Sequence, residues 1–181
     1  CGNINTGGGF MADAAGEPDT YERYCRLKLI GVMPDSAGFN DLNNTPSRLD
    51  GTVALVKLLG AEEEALKGTY PHPFSDVPEW ADKYIGYLHS KKVLKGISSD
   101  KFGSETPLSP DVFAYFMLNA LGYTSQEDAV TIADSFDSIT KIGLNYPQNK
   151  VIEMKRNFRF SDMSDMIYDT LKLKVKGKIE L

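Results

Sequence analysis

The chain has 181 residues, 41% of them hydrophobic, which is enough for one well-filled domain. Its net charge of -5 argues against a nucleic-acid partner, because phosphate binding needs a basic face. No run approaches the ~20 consecutive apolar residues of a transmembrane helix.

Residues 1–18 are Gly-rich and weakly apolar and read as an arm or tether. The start Cys1-Gly2, followed by Asn-Ile-Asn-Thr-Gly-Gly-Gly, looks like a bacterial lipoprotein after removal of its signal peptide, with a lipid on Cys1. The other reading of Cys1 is a fragment boundary. Membrane contact is expected only through such a lipid on Cys1. Cys25 lies in an apolar helical pattern and reads as a small buried hydrophobe.

Helical signals begin at Asp19-Thr20-Tyr21-Glu22, which resembles a capping box, and this first helix ends near Gly31. After a polar, Asn-rich loop, Ser47 caps a helix whose Leu49, Val53, Val56 and Leu59 share one face up to Gly60. Glu62 to Lys67 adds a short helix. Pro71 and Pro73 break the chain, and Asp76-Val77-Pro78-Glu79 reads as the next helix start, with Asp76 as cap and Trp80, Tyr84, Ile85 and Leu88 on one side. Gly96 to Thr106 is a loop. Ser109 then caps a helix with Pro110 in its first position, running through Phe113, Phe116, Met117 and Leu121 to Gly122. A further unit starts at Ser125, carries a stripe through Ala129, Ile132, Ala133, Phe136 and Ile139, and turns at Gly143. Lys150 to Phe160 alternates enough to predict short extended pieces, and the last helix runs from about Ser161 to Leu173.

The same device therefore recurs: a Ser/Thr-type cap, an acid two or three places on, then an amphipathic helix. One such unit cannot bury its apolar face alone, so several share a core. The fold expected is mainly α, a single domain over 19–173 of three helix-loop-helix units (about 19–68, 69–123 and 124–173), with a tail at 174–181. The helices that begin near Ser47, Ser109 and Ser161 are expected to pack together at the centre.

These residues resemble the S-layer homology (SLH) family. Phe74-Ser75-Asp76-Val77-Pro78-Glu79-Trp80-Ala81 with Tyr84-Ile85-Gly86-Tyr87 looks like the opening of an SLH repeat. Val93-Leu94-Lys95-Gly96 with Phe102-Gly103 looks like its middle, and Ser109 to Tyr123 like its closing helix. Thr45-Pro46-Ser47-Arg48-Leu49-Asp50 is similar to the family's Thr-Arg-Ala-Glu motif, while Ile142-Gly143-Leu144 and Tyr168 to Leu171 mark a degenerate third copy. The resemblance implies three repeats in a pseudo-threefold arrangement around a central three-helix bundle. It also implies a non-catalytic module on the bacterial cell surface, outside the cell, anchoring a protein to secondary cell-wall polysaccharide, often one carrying ketal-linked pyruvate. The grooves between repeats would hold the sugar, with the motif Arg on the anionic group and a Trp packed on the ligand. Other surface-layer proteins are further partners. No cofactor or metal is implied.

The candidate ligand residues are Arg48, Asp50, Asp76, Trp80, Asp111 and Arg159. The motif Arg survives only as Arg48. Pro110 occupies its place in the second repeat and Phe160, next to Arg159, in the third, so at most one groove is fully equipped. Arg48 sits in a first helical turn, where the dipole disfavours a cation, and an anionic ligand would explain that placement, as would a salt bridge to Asp50 or Glu62. Asp76, Asp111 and Asp162 also read as caps or first-turn acids, and Trp80 also reads as the start of a core stripe. No nucleophile–base set, phosphate loop or metal-ligand spacing stands out, so catalysis is not expected. The rival to polysaccharide anchoring is an assembly protein that uses a worn SLH scaffold for protein contacts.

Overall fold

A computed structural model describes residues 17–34, 41–123 and 131–171. All but the last two residues of the expected arm, with Cys1, and Ser125, Ala129 and the C-terminal tail lie outside them. The described residues are mainly helical and hold no strand, as the sequence predicts. In chain order the helices are α1 (Thr20–Leu29), α2 (Arg48–Leu58), α3 (Glu62–Lys67), α4 (Asp82–Ser90), α5 (Pro110–Ala120), α6 (Ile132–Lys141), α7 (Gln148–Arg156) and α8 (Phe160–Thr170). A 3-10 turn, Glu79–Ala81, leads into α4.

The helix starts follow from local chemistry. The side chains of Asp19, Ser47, Ser109 and Thr131 each accept a first-turn backbone N–H, which satisfies a donor the helix cannot. Ser47 and Asp50 form a full capping box. Five helices stop in the same way. After α1, α2, α5 and α6 a glycine takes positive φ (Gly31, Gly60, Gly122, Gly143), and after α4 the same place is held by Lys92 at φ 60. The residue that follows donates back five places into the helix, as Val93 does to Leu88 and Tyr123 to Leu118, and closes its last carbonyls.

Two sequence expectations are corrected here. Asp76 caps no helix, because α4 starts only at Asp82. Lys150 to Phe160 is not extended but mostly α7, a helix with only Met154 buried, so its apolar period is too thin to print in the sequence. The last helix also begins one residue before Ser161, with Asp162 accepting the N–H of its N-cap, Arg159, at 2.9 Å.

The core is one cluster in which Phe102, Phe113, Phe116, Phe136, Met163 and Met166 are fully buried. Helices α2, α5 and α8 are buried on nearly all sides, eight of eleven residues in α2 and α8, which places them in the interior. α2 lies directly on α5, and a side chain at Gly51 would meet Leu108 at 2.6 Å and Phe113 at 3.3 Å. Around these three, α4 packs on α2, α6 on α5 and α1 on α8, so the last helix packs on the first.

Backbone bonds stitch neighbouring units in a repeated register. The first two N–H groups of α2, on Arg48 and Leu49, donate to the carbonyls of Thr106 and Ser104, ahead of α5. Those of α8, on Phe160 and Ser161, donate to Asn44 and Leu42, which stand at the same two offsets ahead of α2. α5 begins with Pro110, which has no N–H to offer, and the matching carbonyls fall within α7. The pattern is made twice and omitted once.

Candidate functional site

Where the start of α2 meets the second unit, the two leave a groove of about 400 Å³ lined by Thr45, Pro46, Ser47, Leu49, Asp50, Trp80, Glu105 and Pro107. An adjoining hollow of about 370 Å³ is lined by Asp76, Ile97, Gly103, Ser104, Glu105 and Thr106. Glu105 belongs to both.

Trp80 is 63% exposed. It does not start the core stripe of α4. It lies in the 3-10 turn, whose tighter winding breaks the 3.6-residue phase that buries Tyr84, Ile85 and Leu88. Ala81 next to it is fully buried and anchors the turn. The indole is thus an apolar plate with a polar N–H, held at the edge of the groove by a fixed backbone.

Arg48 is placed differently from the ligand-facing cation of the sequence reading. It is 5% exposed and is not part of the groove lining. Its Nε donates to the carbonyl of Phe102 at 3.0 Å and its Nη2 to that of Lys95 at 2.6 Å. The guanidinium stacks 4.9 Å from the Phe102 ring centre and 5.3 Å from that of Phe116. Burial lowers its proton affinity, and the field of Asp76 partly restores it.

Asp76 holds the same loop from the other side. Its carboxylate accepts the N–H groups of Phe102 and Gly103 at 2.7 Å and of Ser104 at 3.4 Å. Burial pushes its pKa up, but these donors outweigh it and leave the group below the ordinary carboxylate value. Asp50 lines the groove while its Oδ2 accepts the N–H and hydroxyl of Ser47. The Ser104 hydroxyl is buried with no hydrogen-bond partner among the described residues.

Asp111 and Arg159 do not join this site. Asp111 lies 3.8 Å from Lys155, with its pKa raised by burial against the pull of that lysine. Arg159 is 3.5 Å from Glu153. The structure therefore brings together Asp50, Asp76 and Trp80, with Arg48 as an internal brace. Sequence reasoning missed Glu105 and Ser104, which occupy a loop with no periodic signal. Among the described residues no group of His, Cys, Asp and Glu could hold a metal, and no helix is long and apolar enough to cross a membrane. Compared with known proteins, the chain matches no family model and no curated sequence.

Proposed function

We propose that the chain is a non-catalytic, SLH-like cell-surface module that binds wall polysaccharide in the groove between its first two units. The observation that carries this reading is the exposed Trp80, fixed beside Asp50 and Glu105 in a groove sized for a sugar. The twice-made backbone register between units supports the three-repeat scheme, with α2, α5 and α8 as its central helices. Attachment outside the cell follows from the same reading.

The deciding experiment is a pull-down on purified cell walls, with and without their non-peptidoglycan polymer, for the wild type and Trp80→Ala. Binding that needs both the polymer and Trp80 upholds the proposal. Binding that needs neither favours the second reading, an assembly scaffold for protein contacts with other surface-layer proteins. One observation speaks for that alternative: the single surviving motif arginine is spent inside the fold and reaches no ligand.

A further inference from the structure

The charge of the site carries the reading one step further, and the step rests on the groove being a sugar site. Neither hollow is lined by a lysine or arginine. Every charged side chain in the two linings is a carboxylate: Asp50, Asp76 and Glu105. Asp50 is tied to its capping box and Asp76 to three backbone N–H groups. Glu105 is exposed at the junction of the hollows and makes no ion pair among the described residues. An anionic sugar would meet only like charge here, and the overall charge of -5 would not steer it in.

A second observation points to a ligand independently of charge. Trp80, at the rim of the first hollow, is 63% exposed and offers a sugar face a flat apolar partner. Across the two hollows lie a stacking plate and a carboxylate with no ion pair among the described residues.

We infer that this site takes a glycan bearing free amino groups: a sugar face stacks on Trp80 and an ammonium pairs with Glu105. Anionic, pyruvate-bearing polymer is disfavoured by the same carboxylates.

Trp80 is the only tryptophan of the chain, so its fluorescence reports the site directly. Three probes separate the outcomes, titrated at a pH where the amine is protonated: a chitosan tetramer, its fully N-acetylated counterpart, and an oligogalacturonate tetramer. The expected result is a Trp80 response to the first two, about fivefold tighter for chitosan, as befits an exposed ion pair, and none to the third. Glu105→Gln should bring the chitosan-to-chitin ratio close to one, and ~0.5 M salt should do the same. Glu63→Gln, a surface acid paired with Lys67 far from the site in sequence, controls for loose attraction of a polycation and should leave the ratio unchanged. Binding of the anionic tetramer as tightly as chitosan, or a preference that survives Glu105→Gln, overturns the inference. Silence toward all three probes in a chain whose wall binding needs Trp80 overturns it too, and leaves the groove standing. Silence combined with wall binding indifferent to Trp80→Ala sinks both.

Discussion

The Nε of Arg48 reaches the carbonyl of Phe102 at 3.0 Å across 54 residues of sequence. With the second bond to Lys95, one side chain from the first unit fixes both ends of the loop that walls the groove. Arg48→Ala leaves two carbonyls without donors inside the protein and should cost roughly 2–4 kcal/mol in urea denaturation. Arg48→Lys should recover only part, since an ammonium cannot reproduce the planar fork. A loss below about 0.5 kcal/mol would contradict this bracing role.

Trp80→Ala should behave in the opposite way. An exposed indole contributes little to folding, so stability stays within about 1 kcal/mol while wall retention falls. Measured side by side, the two variants separate the brace from the binder.

Lys92 sits in the left-handed region at φ 60, where four sibling helix ends carry glycine. A side chain there is strained by roughly 1 kcal/mol, more than the added freedom of glycine in the unfolded chain gives back. Lys92→Gly should therefore raise stability by about 0.5 kcal/mol, read from the urea midpoint at unchanged slope.

Arg23 joins α1 to α8, lying 3.4 Å from Asp165 and 3.2 Å from Asp169. Burial holds the Asp165 carboxyl above its usual value, while a hydrogen bond from Thr20 and the charges of Lys150 and Arg23 pull it back. Arg23→Ala leaves that buried charge short of a cation and should cost roughly 3 kcal/mol at pH 7. Because a raised carboxyl takes up its proton more readily in the folded state, the cost should shrink as pH falls toward ~4. An equal loss at both pH values would mean that Asp165 is not the group left exposed.

Asp76 titrates with the other sign. Its folded pKa lies below the unfolded value of ~3.9, so its stabilisation is present above that value and disappears as pH falls through the folded pKa. Asp76→Asn should destabilise at pH 7 and make almost no difference under strongly acidic conditions, followed by circular dichroism.

Caps and periods are local, and they were legible: Asp19, Ser47 and Ser109 start helices where the sequence places them. Gly86 also finds its reason, since a Cβ there would meet the Tyr70 carbonyl oxygen at 2.1 Å. What escaped depends on distant backbone. The partners of Arg48 are carbonyls 47 and 54 residues away, and a carbonyl is the same for every residue type. Asp76 looked like a cap because a carboxylate that binds first-turn N–H groups and one that binds loop N–H groups are the same residue in the same neighbourhood of Pro and Glu. Trp80 was misphased by a single turn of tighter helix.

The packing of α8 on α1 makes the described chain a cycle in space. The guanidinium of Arg23 touches Glu17 at 3.6 Å and Asp169 at 3.2 Å, so the two extremities of the helical body meet at one side chain. Which unit is made first is then a matter of translation and not of architecture. A permuted chain that opens at Thr69, runs to Leu171, crosses a short Gly/Ser linker to Glu17 and finishes at Gly68 would keep every helix pair named above. Its groove would form between the last unit synthesised and the first, with Trp80 now ahead of Ser47 in the chain.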